Sequence, residues 1–419
     1  MPRSRTFVAG VLLGASVLTV IGAGALYWSV TEFRRRFPDQ DIFNTARLHD
    51  SVAILLGKDV ALSRFQPRPM LVVQRQTVTR AAYPAIDVHF HLESLDPSIT
   101  PERLVQAMDA AGIDKVVNLG GLPGVFEELA SKFRARYPER FIMFVKPDLA
   151  GLRADDNFQK QLQWVEKAIG MGARGIKFSK SFGMGQRDAS GKIIPVDDPR
   201  LDPLWDLAAR AGMPVLIHTG EPAAFFARPD VHNERFEELA MLPQFRHYGK
   251  PPTREDLMSQ RERLLARHPH TNFIGAHVGM NEDDLGYASY LLDKYPNYYV
   301  DIAAVVHALG RQPYTARRFF IRYQDRILFG TDGGYGLVKE GAGWTPERYF
   351  RSYLEFLETE NEYFEYPLAD VSKQGRWRVY GLHLPPEVLE KIYVRNAERL
   401  IPTEDAIAAR LAISPSPAN

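Results

Sequence analysis

Eight short apolar runs, alternating with amphipathic segments from residue 85 onward, constrain the fold of this chain more than any other feature. The runs span 85–91, 115–119, 141–145, 175–179, 214–219, 272–277, 298–302 and 326–331, and Gly, Pro, Asp or Asn flank them. Nearly continuous apolar character over so few residues is how strands buried on both faces of a parallel sheet read. Between them, segments such as 101–111, 158–170, 202–211, 254–267 and 283–294 are amphipathic. Strands alternating with helices make βαβ units, and eight such units close into a (β/α)8 barrel of the TIM type. An open, doubly wound sheet is the alternative. It is disfavoured because no G-x-G-x-x-G opens the first unit, and because reactive residues end many strands rather than one switch point.

Barrel active sites lie at the C-terminal ends of the strands. The first run, Ala85-Ile86-Asp87-Val88-His89-Phe90-His91, ends in two histidines. Residues i and i+2 of a strand share a face, so His89 and His91 project together, a geometry suited to two imidazoles on one metal ion. An H-x-H pair alone is weak, since the spacing arises often by chance. The other strand ends strengthen it. The fifth run ends at His218, the sixth at His277, and Asp332 follows the eighth. Of eleven histidines, four fall at expected strand ends. The others, His232, His247, His268, His270, His307 and His383 among them, fall on helices or loops. Three imidazoles and a carboxylate suit one divalent ion of the zinc type. His89, His91 and His218 are the expected ligands. Asp332, on the strand that closes onto the first, is expected to ligate and to take a proton from water. His277 is expected to polarise a substrate carbonyl or pass a proton to a leaving group.

Composition narrows the chemistry. No cysteine is present, which removes disulfides, thiolate metal sites and cysteine nucleophiles. Fifty-two basic against 51 acidic residues, with no basic block, make nucleic acid an unsuitable partner. A small-molecule substrate is the expected partner, and self-association into a homo-oligomer stays open.

The N-terminus reads as separate from the barrel. Arg3 and Arg5 precede an uncharged run at 6–28, the pattern of a signal peptide or a membrane anchor. Ala23-Gly24-Ala25 matches a small-x-small cleavage site, whereas Arg34, Arg35 and Arg36 leave the orientation of an anchor undecided. Either form places the folded part outside the cytoplasm, periplasmic or secreted, with membrane contact only through this segment if uncleaved. The expected organisation is a signal peptide or anchor at 1–30 and a leader packing on the barrel at 31–84. The barrel domain follows at 85–405, and then a flexible tail at 406–419. Within the leader, 50–62 could form a short helix and 70–79 an extended arm. The connection from Thr219 to His270 is unusually long and rich in Phe and Pro, and reads either as a lid or as a decorated helix-loop.

Taken together, Asp87-Val88-His89-Phe90-His91, Val215-Leu216-Ile217-His218-Thr219-Gly220, Gly275-Ala276-His277 and Leu328-Phe329-Gly330-Thr331-Asp332 resemble the amidohydrolase superfamily, in its amidohydrolase-related branch. The resemblance covers about residues 87–400. The segment 391–400, from Lys391 to Leu400, looks like that branch's closing helix. The branch contains metal-dependent hydrolases and also nonoxidative decarboxylases. The resemblance implies one catalytic divalent metal, most simply zinc, on His89, His91, His218 and Asp332, with His277 as a catalytic histidine. Some superfamily members carry a metal-bridging carboxylated lysine where Lys177 stands. In a one-metal branch Lys177 is better read as salt-bridged or as a contact for a substrate carboxylate. Asp301, which ends the seventh strand, orients a ligand histidine or caps the next helix. Glu221 and Asp87 are further candidates for the surroundings of the ligands, Asp87 on the same strand face as His89. Tyr335 and Arg378 are candidates for the mouth.

Two reactions use the same five residues. The first is hydrolysis of an ester, lactone or amide carbonyl by metal-activated hydroxide. The second is nonoxidative decarboxylation of an unsaturated or aromatic acid, which needs a cationic clamp that Arg187, Lys177 or Lys180 could supply. An extracytoplasmic location favours hydrolysis. A non-catalytic binding barrel is the third reading, since fold alone never establishes activity, but the intact five-residue set argues against it.

Overall fold

The computed structural model describes residues 69–95, 98–149, 156–334, 345–366 and 374–413. The chain divides into two units, Met1–Val72 and Val73–Asn419, and the second carries every described strand. The apolar run at 6–28, the 50–62 segment and Tyr335 lie outside the described residues. Among the described residues, no helix is long and apolar enough to cross a membrane.

Eight parallel strands follow one another around the sheet in sequence order. They are β1 (Ala85–Phe90), β2 (Ile113–Asn118), β3 (Phe141–Val145), β4 (Ala173–Phe178), β5 (Val215–Ile217), β6 (Phe273–Gly275), β7 (Tyr298–Asp301) and β8 (Ile327–Leu328). Hydrogen bonds from Val88 N to Phe329 O (2.9 Å) and from His91 N to Gly333 O (2.7 Å) tie β1 to the chain after β8. This is the (β/α)8 barrel expected from the alternating pattern.

Alternate strand residues face inward. Ile86, Val88, Val117, Ile142, Phe144, Leu216, Ile274 and Leu328 form one interior cluster, which Ala397 and Leu400 of helix Asn396–Leu400 and the following Ile401 join. Gly175 on β4 leaves room for it, since a Cβ there would lie 2.3 Å from the Phe144 ring. The opposite strand faces pack against the helices, with Trp205 of helix Asp202–Ala211 4.7 Å from Phe178 and 5.8 Å from Phe273. Side-chain caps and left-handed glycines set the helix ends. Thr100 Oγ1 accepts from Arg103 N before helix Pro101–Ala111, and Gly112 at φ 74° ends it.

Three strands, β5, β6 and β8, end two or more residues before their apolar runs do. β8 stops at Leu328 because Phe329 gives its N–H to Ile392 O at 3.0 Å instead of a ladder, and further on Thr331 gives its N–H and its hydroxyl to the Asp87 carboxylate. β6 stops at Gly275 because the chain turns left-handed from His277. β5 stops at Ile217, where His218 N still reaches Phe178 O at 3.1 Å.

Two expectations about neighbouring residues change. A register irregularity falls between Asp87 and Phe90. Ile86 and Val88 join the interior cluster while Phe90 joins the outer one. Asp87 therefore does not share the face of His89. Its carboxylate ties β1 to β8, accepting from His89 N (3.0 Å), Thr331 N (3.0 Å) and Thr331 Oγ1 (2.5 Å). At the other terminus, the described part of the expected loose tail, 406–413, lies in a helix, Glu404–Ile413, with Ile407 buried and Glu404 paired with Arg134, while 414–419 lie outside the described residues. An apolar contact and an ion pair hold the helix on the barrel.

The end of the leader packs on the barrel as well. Gln76 N donates to Asn361 Oδ1 at 2.7 Å, and Asn361 Nδ2 returns a bond to Gln76 O at 2.9 Å.

Candidate active site

The mouth of the barrel opens into a cavity of about 470 Å³. Its floor holds His89, His91, His218, His277, Lys177 and Asp332. Oδ1 of Asp332 lies 3.3 Å from Nε2 of His89 and 3.2 Å from Nε2 of His91. The ligand-type atoms of these three residues all fall within 4.8 Å of one another. Asp332 sits at φ 61°, a left-handed position that aspartate tolerates, and its N–H is held by His89 O at 2.8 Å.

The other ring nitrogens are already committed. His89 Nδ1 faces Asp301 Oδ2 at 2.8 Å, and His91 Nδ1 faces Glu93 Oε1 at 2.9 Å. A carboxylate accepts, so Nδ1 carries the proton in both rings and Nε2 presents a lone pair to the centre. Asp301 does more than orient one ring. Its Oδ1 accepts from His277 N (2.8 Å) and Ala303 N (3.1 Å), fixing the turn after β6 and the start of the chain after β7.

His218 shares the cavity but is not part of the close trio. Its Nδ1 lies 3.2 Å from His277 Nε2. His277 Nδ1 gives its proton to Ala303 O at 2.7 Å, so His277 Nε2 is the acceptor and His218 Nδ1–H the donor. That leaves His218 Nε2 as a buried lone pair with no partner among the described residues. An orphaned imidazole lone pair in the same cavity as two others and a carboxylate is a donor set that fits a divalent ion of the zinc type.

Electrostatics agree with these roles. Burial alone would raise the Asp332 carboxyl, but a second proton on His89 and hydrogen bonds from the His89 and His91 rings hold it well below the ordinary carboxylate range, and a cation on the two Nε2 lone pairs would take the place of those protons. Burial, helped by His89, pushes His277 down to about 4, so its ring is neutral near pH 7. Lys177 is buried, and burial lowers its ammonium to about 8 against the pull of Asp301 and Asp332. Among the described residues its Nζ has no hydrogen bond or ion pair, so the salt-bridge alternative finds no partner there.

His277 owes its position to an uncommon backbone. Residues His277 to Met280 are all left-handed, with φ of 58°, 54°, 64° and 59°. For the β-branched Val278 this region is costly. The turn's carbonyls are held from outside: Asn281 Nδ2 donates to Gly279 O (2.8 Å), Arg254 to Met280 O (2.7 Å), and the buried Arg261 to Gly279 O.

The remaining candidates separate clearly. Glu221 is buried in the cavity wall and pairs with Lys180 at 3.0 Å. Arg187 donates to Gly191 O within its own loop, and Arg378 pairs with Glu365; neither lines the cavity. The long β5–β6 connection forms short helices, Ala223–Phe226 and Phe236–Met241, before helix Arg254–Arg267. Phe225 and Phe245 stack at 5.6 Å and line the cavity, whereas Phe236 and Tyr248 are exposed.

Sequence reasoning passes over several residues in and behind the cavity wall. Glu93, two positions after His91, is visible in retrospect as an orienting carboxylate. His307 and Arg235, by contrast, meet at 2.9 Å although 72 positions separate them, and no local pattern marks them.

A family model described as Amidohydrolase matches residues 86–403. No curated protein matches the chain. Among solved structures it is similar to an uncharacterised TIM-barrel protein from Bordetella bronchiseptica, at 19% identity over 77% of this chain and 99% of that one, TM-score 0.47. It is also similar to 4-oxalomesaconate hydratase from Rhodopseudomonas palustris, at 16% identity over 78% and 98%, TM-score 0.46. A third is 5-carboxyvanillate decarboxylase from Novosphingobium aromaticivorans, solved with manganese, at 14% identity over 78% and 99%, TM-score 0.42.

Proposed function

The chain belongs to the amidohydrolase family, and on that premise we propose that it is a metal-dependent hydrolase of an ester, lactone or amide carbonyl. The observation that carries this reading is the sharing of Asp332 Oδ1 between His89 Nε2 and His91 Nε2 at the mouth. His89, His91 and Asp332 would hold one divalent ion, with His218 Nε2 as the further donor. Such an ion, when bound, is a Lewis acid that makes hydroxide available from water near neutral pH.

The chain's own residues supply the rest. Asp332, ionised at neutral pH, accepts the proton that water gives up at a carboxylate oxygen. His277 is neutral, and its bond from His218 keeps Nε2 directed into the cavity floor. If His218 turns its other nitrogen to a cation, that bond fixes how far the ring can move. Lys177 offers a buried ammonium to a carboxylate or a developing oxyanion of the substrate. The cavity of about 470 Å³ has the size of a small-molecule site.

A second reading, nonoxidative decarboxylation, is favoured by one observation: Lys177, which has no partner among the described residues, stands beside the donor set and would grip the carboxylate that leaves. A panel of lactones, esters, amides and aromatic acids separates the two. Acid release from a neutral carbonyl substrate supports hydrolysis, and CO₂ release with no hydrolysis overturns it in favour of the second reading.

A further inference from the structure

The wall that the β5–β6 connection contributes to the cavity carries a charged group that none of the chemistry above uses. Arg235 is only 3% exposed. A guanidinium has five N–H donors and keeps its charge when buried, so its partners can be counted. Nε donates to Glu238 Oε2 at 2.6 Å, and Nη1 to His307 Nε2 at 2.9 Å. His307 can only accept there, because its Nδ1–H goes to Ala304 O at 3.0 Å. The Phe225 ring lies 5.3 Å from the guanidinium carbon. Nη2 has no partner among the described residues, and it is not among the fully buried orphan atoms.

A purely structural ion pair would leave the guanidinium plane either saturated or turned to water. Here Nε and Nη1 are pinned, while the residue lines the same cavity as His89, His91 and Asp332. Of the carboxylates nearby, Glu238 is committed to Arg235 itself and Glu221 to Lys180, while Glu282 lines the same cavity and feels the Arg235 charge but forms no ion pair with it among the described residues. A guanidinium fixed in this way is preorganised for a planar anion.

We propose that Arg235 is the anion clamp of the substrate pocket, its Nη2 taking a carboxylate other than the group that reacts, so that the substrates are esters, lactones or amides that also carry an acid. This rests on the reading of His89, His91 and Asp332 as the reacting centre.

Calorimetric titration of the zinc-loaded full chain with succinate, glutarate and adipate, each against its monoamide, tests the clamp without any turnover. At the best-fitting length the diacid should bind about tenfold tighter than the monoamide, or more, as expected for a charged hydrogen bond. R235Q should bring the two to parity with zinc content unchanged. E238Q, which removes the counter-charge, should widen the gap. If R235Q does not fold, R235K and E238Q carry the test, the first narrowing the gap and the second widening it. No gap at any length in the wild type, or a gap that folded R235Q or R235K keeps in full, overturns the clamp. Absence of hydrolysis across the substrate panel would instead sink the proposed function and leave this binding difference in place.

Discussion

Nδ1 of His89 lies 2.8 Å from Oδ2 of Asp301, and this contact decides which nitrogen of His89 faces the mouth. The other oxygen of Asp301 holds the backbone of His277 and Ala303. One buried carboxylate thus sets a tautomer, a strand end and a turn together.

Asp301→Ala should therefore weaken zinc binding by about ten- to a hundredfold, the usual cost of losing a carboxylate behind a ligand histidine. Competition against a chromophoric chelator measures it. Unchanged affinity in a folded variant would mean that His89 needs no such support.

Asp332→Asn keeps the size of the side chain but removes its basicity. Turnover should fall by roughly 10²–10⁴-fold, the scale of general-base catalysis, while most of the zinc is retained. Full activity in this variant would exclude Asp332 as the proton acceptor.

Gly279→Ala tests the left-handed turn that carries His277. Gly279 sits at φ 64°, and a Cβ there would lie 2.1 Å from the Tyr298 hydroxyl. The substitution should cost about 2 kcal/mol or more in thermal unfolding. The Tyr298 hydroxyl is buried without a partner among the described residues, so Tyr298→Phe alone should be close to neutral. In the double variant it should return part of the loss, and strictly additive effects would show that the contact is not the cause.

Glu282 gives stability a pH dependence. Burial, and then the charge of Asp283, raises its carboxyl from 4.5 to about 7, against Arg235 and Arg254. The folded state binds the extra proton between those values. Its contribution is therefore full below about pH 4.5 and is lost as pH rises through about 7. Glu282→Gln removes this loss. Melts should show the variant more stable than the wild type at pH 8 by roughly 1–3 kcal/mol, with the difference closing near pH 4.5. An equal difference at both pH values would assign the effect to packing instead.

The barrel and the trio were legible in the sequence for one physical reason. Burial on both faces of a strand writes itself as a short apolar run, and a barrel exposes whatever ends that run. Ala85–Phe90 and Phe141–Val145 begin where their runs do, and His89, His91 and Asp332 meet as strand-end residues should. Features set by hydrogen bonds between distant segments were not legible. The carboxylate of Asp87 takes the N–H of Thr331, 244 positions on. The bond between His218 Nδ1 and His277 Nε2, whose direction Ala303 O decides, joins residues 59 positions apart. Arg235 and His307 became wall residues only through the docking of a long connection.

Zinc binding by the purified full chain, beside His89→Ala and His91→Ala, tests the central claim most directly. The wild type should hold about one ion per chain, and both variants should fold yet lose it. A chelated wild type that stays folded and fully active, or variants that bind zinc as tightly as the wild type, would contradict the account.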